Sequence, residues 1–312
     1  VPKTEFLIEP GSEEGKRLDV FLAEKVPSLS RSRLKRLISA GAVTVGGAAR
    51  RSSYPLKAGD RVVLEYASPE AKGLRPEDIS LRVLYEDGDV IVLDKPSGLV
   101  VHPGVGNASG TLANALLFRY PEVASVGPPE RPGIVHRLDK ETSGVMIAAR
   151  SVRAYDSLVM QFKRKEVWKI YLGLVRGKIS SPEGRISWAI GRHATDGKRI
   201  SVRSRNPKDA ETRFKVLETF RASTLLEIRP MTGRTHQIRV HLAAAGHPVI
   251  GDRLYGGKKG AKEAPRLFLH AHILSFIHPA TGKRLEFVSP LPRELEAVLE
   301  SERQGPVAAG RR

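Results

Sequence analysis

A carboxylate that works beside an electron-rich substrate needs positive neighbours to stay ionised and a turn to project it. Residues His136–Arg150, HRLDKETSGVMIAAR, contain one such group. Asp139 lies between Arg137 and Lys140, just before Thr142-Ser143-Gly144 and the strand-like run Val145–Ala149. A turn feeding a rigid element would project the acid reproducibly. The plainer alternative is a surface ion pair worth under about 1 kcal/mol. Two other segments carry comparable chemistry. Lys169-Ile170-Tyr171 places an amine and a phenol in a predicted strand. Met231–His241, MTGRTHQIRVH, gathers Arg234, His236, Gln237, Arg239 and His241 on and just before a predicted helix N-terminus. Donors and helix dipole there suit an anionic or carbonyl-rich partner.

Several chemistries are excluded by residue types. With no cysteine, the chain has no disulfide framework, thiolate nucleophile, iron–sulfur cluster or Cys-ligated zinc. His236, His241 and His247 are spaced by five and six residues, off any single helical face, so no metal is expected. Gly104-x-Gly106-x-x-x-Gly110 misses the dinucleotide spacing and no P-loop follows it, so it reads as a flexible loop. His270 and His272, on one face of a predicted strand, read as packing or hydrogen-bonding residues.

The elements that must position these groups fall into two parts. In residues 15–66, Leu18, Phe21, Leu22 and Val26 predict a short helix ending before Pro27. Ser30 is the expected cap of a second helix, Arg31–Ala40, with Gly41 just past its end. That helix sets Leu34, Leu37 and Ile38 on one side and Arg31, Arg33, Lys35 and Arg36 on the other. Val43–Val45 and Arg61–Leu64 read as strands, with Gly46-Gly47 as a turn. So small a core is expected to lean on a polyanionic partner. Residues 67–78, rich in Pro and Gly, read as a linker.

Residues 79–300 read as one larger α+β domain on a mixed, mainly antiparallel sheet. Its expected strands are Leu81–Tyr85, Val90–Asp94, Val145–Ala149, Lys169–Leu174, Ala210–Leu217, Thr224–Arg229, Phe268–Phe276 and Leu285–Val288. Asp87-Gly88 turns the first pair. Helices are expected after Thr111, over Ala154–Lys163 and over Thr235–Ala245. Residues 301–312 are expected to be a disordered tail.

Charge identifies the kind of partner. Lys+Arg 52 against Asp+Glu 34 leaves a net charge of +18, a field that concentrates polyanions. No apolar run approaches the roughly 20 residues of a membrane span, and no lipidation signal is present. Nucleic acid is therefore the expected partner, with no membrane. VPKTEFLIEP lacks the features of a signal peptide, so a cytoplasmic location is expected.

The motifs together carry a resemblance. HRLDKETSG, Lys169-x-Tyr171 and TGRTHQIRVHLAAAGHPVIGDRLYG (Thr232–Gly256) resemble the pseudouridine synthases of the RluA family, and GLVVHPGVGNASG (Gly98–Gly110) resembles its RluD-like branch. RLDVFL…SRSRLKRLISAGAVTV resembles an S4 RNA-binding domain. The resemblance implies a cofactor-independent isomerase acting on uridines of large-subunit ribosomal RNA, with the target base flipped out of its stack. It implies that Asp139 is the essential carboxylate, acting on C1′ or C6 or removing the C2′ proton. Arg239 is implied as its ion-pair partner and Tyr171 as the residue stacking on the target base. Arg137 is implied at the RNA, and Arg234 and Gln237 in phosphate binding or support; His136 is read as structural. Arg31, Arg33, Lys35 and Arg36 are the expected RNA contacts of the first domain, and a monomer is expected. The alternatives are other RNA substrates, including transfer RNA, and a non-catalytic RNA-binding or ribosome-assembly protein.

Overall fold

The computed structural model describes residues 3–11, 13–26, 31–65, 74–104, 106–193, 199–204, 206–257 and 264–304. The chain divides into two compact units, Val1–Gly73 and Leu74–Arg312.

In the first unit, strands β1 (Lys3–Leu7), β2 (Val43–Val45), β3 (Ala48–Ala49) and β4 (Arg61–Glu65) form an antiparallel sheet in the order β1-β4-β2-β3. Helices α1 (Leu18–Lys25) and α2 (Arg31–Ser39) accompany it. Leu18, Phe21 and Leu22 of α1 and Leu34 and Ile38 of α2 meet Val43, Val45, Val62 and Leu64 in a closed core. The unit therefore has its own apolar interior. Strand β1 lies outside the expected bounds of 15–66. Its sequence KTEFL is almost wholly exposed, as suits a charged edge strand, and so carries no alternating pattern. Gly46 and Gly47 both have positive φ and turn β2 into β3. The expected Ser30 cap lies outside the described residues.

The second unit is built on nine strands: β5 (Arg82–Glu86), β6 (Val90–Lys95), β7 (Ser143–Ala149), β8 (Trp168–Arg176), β9 (Glu183–Ile186), β12 (Thr212–Thr219), β13 (Ser223–Pro230), β14 (Leu269–Ile277) and β15 (Arg284–Val288). They run in the order β5-β6-β7-β14-β8-β13-β12-β9, with β15 also paired to β14. Only β7 and β14 pair in parallel, so the sheet is mixed and mostly antiparallel. A separate small hairpin joins β10 (Gly191–Arg192) to β11 (Ile200–Ser201). The helices are α3 (Leu112–Arg119), α4 (Val152–Arg164), α5 (Gln237–Ala244) and α6 (Arg293–Gln304). Thr111 and Asn114 close a reciprocal cap on α3, and Ser151 caps α4 by accepting the Ala154 N–H.

Several boundaries differ from expectation by a residue or more, and three of them change what a segment does. Residues 74–78 belong to this unit rather than to a linker: Leu74 joins its core, the Arg75 carbonyl accepts from Asn114, and the Glu77 carboxylate accepts from Gly110 N–H. Ser301–Gln304 continue α6, anchored by buried Leu295 and Leu299, rather than starting a tail; residues 305–312 lie outside the described residues. Helix α5 begins at Gln237, not Thr235, because His236 is held at φ +54°, left-handed backbone that cannot extend a helix.

Candidate active site

Strand β14 fixes the site by register. Gly144 of β7 pairs with Ala271 on one side, and Tyr171 of β8 pairs with Ala271 on the other. The turn that carries Asp139, five residues before Gly144, is thereby set at the level of Tyr171, although 32 residues separate Asp139 from Tyr171 in the chain. Gly144 makes this crossing possible: its φ is +116°, and a Cβ there would lie 2.1 Å from the Ala271 carbonyl oxygen.

The Asp139 turn is held from behind by Lys95. This side chain is buried and donates to the carbonyls of Pro96 at 2.8 Å, Leu99 at 2.9 Å and Lys140 at 3.2 Å. Gly98 N–H also donates to Lys140 O, and Ser97 Oγ donates to Glu141 O. Burial pulls the Lys95 amine down to about 7, against the opposing charges of Asp139 and Glu141. An ammonium has three donors, and all three are used.

The third component comes from α5. Arg239 donates Nε to Asp252 Oδ2 at 2.8 Å and Nη2 to Oδ1 at 2.9 Å, a bidentate pair with a carboxylate that has no exposed side-chain surface. Its Nη1 stands 3.7 Å from Asp139 Oδ2. That is ion-pair distance but beyond a hydrogen bond, so Asp252 orients the guanidinium and Asp139 feels its charge. Asp252 in turn accepts the N–H groups of Leu254 and Tyr255. The Tyr255 ring lies 5.1 Å from the guanidinium carbon, and its hydroxyl contacts His236 Nδ1 at 2.9 Å. Gly251 precedes Asp252 at φ +76°, where a Cβ would be 2.0 Å from Arg266 O.

Asp139, Tyr171 and Arg239 line one cleft of about 560 Å³, together with Arg137, Lys169, Arg229, Arg234 and His236. Asp139 is the accessible acid, with 17% of its side chain exposed against 8% for Arg239. Burial, aided by the Asp139 charge, raises the half-buried Tyr171 phenol far above its ordinary range, so it is a neutral group in the cleft wall. Arg137 is exposed at the rim, its Nη1 3.5 Å from His102 Nε2.

His136 stacks on Phe162 with ring centroids 4.6 Å apart and accepts Ile147 N–H at Nε2. Burial, with the charge of Lys169, drives it down to about 3, which keeps it neutral. Of the two expected roles for Gln237, phosphate binding or support, its hydrogen bonds fit support. The residue is 3% exposed, its Oε1 accepts from Thr232 Oγ1 and Arg234 N–H, and its Nε2 donates to Glu211 O and Thr212 Oγ1. With every bond spent, it shapes the turn that presents Arg234. His241 and His247 point to separate partners, His241 to Thr212 and Trp188 and His247 to Arg176. Among the described residues no cluster of three or more metal-ligating groups is found.

In the first unit, Asp19 is fully buried and organises the cations around it. Arg17 donates to one oxygen at 3.0 Å, Arg31 donates to the other at 3.1 Å, and Lys35 stands 3.6 Å away. These three cations and Arg36 remain exposed at the surface. The Arg33 side chain lies outside the described residues.

Lys95, Asp252 and Tyr255 carry the site without standing out in the sequence. Lys95 reads there as the end of a hairpin, and Asp252-x-x-Tyr255 as part of a longer motif. Only their reciprocal contacts with the Asp139 turn and with Arg239 reveal what they do.

The second unit holds a cleft with one accessible carboxylate, a buried arginine and a neutral phenol, and the first unit carries an exposed basic helix. A family model described as RNA pseudouridylate synthase matches residues 89–244, and one described as S4 domain matches residues 16–62. A protein of Aquifex aeolicus named an uncharacterized RNA pseudouridine synthase is 45% identical over 304 residues, covering 94% of this chain and 95% of that one. The ribosomal large subunit pseudouridine synthase D of Xanthomonas campestris is 43% identical over 309 residues, covering 95% and 92%. Among solved structures, human RNA pseudouridylate synthase domain containing 1 aligns with a TM-score of 0.59 at 32% identity, over 71% of this chain and 89% of that one. The chain belongs to the RNA pseudouridylate synthase family and carries an N-terminal S4 domain. It is an isomerase acting on uridine in RNA.

Proposed function

We propose that the protein converts specific uridines of large-subunit ribosomal RNA to pseudouridine, with Asp139 as the essential group. The supporting observation is the cleft in which Asp139 faces solvent, Arg239 lies 3.7 Å behind it and Tyr171 forms the wall. The reaction breaks the N1–C1′ bond, turns the base and forms C5–C1′. N1 gains a proton and C5 loses one, so the product is an isomer. Asp139 acts at the sugar–base junction, with the Arg239 guanidinium at ion-pair distance from its Oδ2 and outside hydrogen-bond range. Tyr171, a neutral phenol, stacks on the turned base near C5. Arg137 at the rim holds the flipped nucleotide, Arg234 meets a phosphate, and Arg31, Arg33, Lys35 and Arg36 bind RNA from the S4 unit. The target class follows that named for the Xanthomonas campestris relative. The protein acts as a monomer in the cytoplasm, on ribosomal RNA that is still accessible during subunit assembly.

Asp139→Asn is nearly isosteric but cannot act as an anion. Tritium release from 5-³H-uridine ribosomal RNA should fall by roughly 10³-fold or more, while RNA affinity stays within a few-fold of wild type. Substantial residual turnover would remove Asp139 from the mechanism. Pseudouridine mapping of ribosomal RNA from cells lacking the protein tests the substrate, and an unchanged large-subunit map would reject it.

A further inference from the structure

A second hollow, of about 600 Å³, lies between the β10–β11 hairpin and the turn Gly233–Thr235. Its lining includes Arg192, Lys208 and Arg234, all exposed. Arg192 and Lys208 have no carboxylate partner among the described residues, and Arg234 spends only its Nε, on the Asp209 carbonyl. Asp209 adjoins Lys208 in the chain, and no carboxylate is among the described residues that line the hollow. Ser204 and Asn206 add neutral polar groups to the lining.

The hollow is built into the same framework as the catalytic cleft. Gly233, Arg234 and Thr235 line both. The hairpin is tied down where Ile200 N–H donates to the Tyr255 hydroxyl at 3.0 Å and Arg199 Nη2 donates to Leu254 O at 2.9 Å. Tyr255 is the residue that contacts His236 and lies against Arg239. At the hairpin base, Gly191 leaves no room for a side chain: a Cβ would be 2.4 Å from Ser204 Oγ and 2.8 Å from Asn206 O. A cation-lined hollow is thus held at a fixed place relative to Asp139.

We propose that this hollow binds the backbone phosphate of a nucleotide flanking the target uridine on the same RNA strand. The inference rests on the pseudouridine synthase reading. Because Gly233–Thr235 line both cavities, a strand whose uridine enters the cleft has the hollow next to it for a flanking phosphodiester. Arg192, Lys208 and Arg234 supply the charge there, and Ser204 and Asn206 suit the adjoining ribose hydroxyl. Binding at this point anchors the strand beside the flipped nucleotide, so energy gained there offsets unstacking in the cleft.

The test uses the full chain with Arg192→Gln and Lys208→Gln combined. A Lys215→Gln and Lys283→Gln protein, which loses the same charge at exposed positions outside the hollow, serves as control. RNA affinity as a function of salt and tritium release from a 5-³H-uridine large-subunit RNA fragment are both measured. The hollow variant should bind about tenfold more weakly than the control, with KM rising more than kcat falls. Its log-affinity against log-salt slope should flatten by about 0.7 for each phosphate that the hollow no longer neutralises. Arg192→Lys with Lys208→Arg keeps both charges and should recover most of the affinity. An affinity and slope equal to the control's would overturn the proposal, as would failure of the charge-keeping variant to recover. If the wild-type chain binds RNA but releases no tritium, the substrate assignment fails while the affinity and slope still judge the hollow.

Discussion

At the scale of single residues, the site separates two tasks that one ion pair would otherwise share. Asp252 receives both directional bonds of Arg239, and Asp139 receives only its charge at 3.7 Å. His136, in the same loop, gives a titration signature. Its folded-state value of about 3 lies below the ordinary 6.5. Between those values the unfolded chain binds the extra proton, so stability is lost as pH falls from 6.5 toward 3. The loss by pH 5 should be on the order of 1–2 kcal/mol. His136→Gln keeps an acceptor for Ile147 N–H but cannot titrate. Thermal unfolding of this variant should therefore show a shallower decline between pH 6.5 and 5. A decline as steep as wild type would assign the acid sensitivity to other groups.

At the scale of elements, α1 and α2 show a basic helix face arranged by a buried acid. Arg17, Arg31 and Lys35 converge on Asp19, which fixes where their charges project and joins the two helices. Asp19→Asn raises net charge by one, so a mechanism based on total charge predicts tighter RNA binding. The geometry predicts weaker binding, because three cations lose their common anchor and repel one another. The S4 unit should also lose about 1–3 kcal/mol, the scale of hydrogen bonds to charged groups. Filter binding and thermal unfolding of the variant distinguish the two, and tighter binding would reject the anchoring role. The Met231–His236 turn shows the same economy of function. Gln237 accepts from Thr232 and Arg234 within the turn and donates to Glu211 and Thr212 beside it, while the Arg234 side chain remains exposed.

At the scale of the whole molecule, the +18 charge serves a chain of two units, each with its own core. The described part of the first unit has a closed interior of Ile8, Phe21, Leu34 and Leu64 among others, so it does not need RNA in order to form a core. Removing residues 1–73 should leave the second unit folded while weakening RNA affinity. It should also flatten the salt slope by about 0.7–0.9 for each phosphate that the S4 unit neutralises. An unchanged slope would mean that the second unit alone engages the phosphates.

Much of this architecture is legible in the sequence because local rules agree with the tertiary fold. Periodicity and capping locate α1 to α4 and most central strands, and Asp87-Gly88 marks the β5–β6 turn. Elements without an apolar stripe or alternation escape such a reading, as with the exposed edge strand β1 and the short strands β9 to β11. Helix α6 escapes it too, although it buries Leu295 and Leu299. Residue types mark three segments that could carry chemistry, and it is the family resemblance of their motifs that singles out Asp139, Tyr171 and Arg239 within them. Only the tertiary structure assigns Asp252 as the partner that orients Arg239, Lys95 as the support of the Asp139 turn, and Gln237 as a structural residue. Those roles depend on which hydrogen bonds are already satisfied, and that is settled by contacts between residues far apart in the chain.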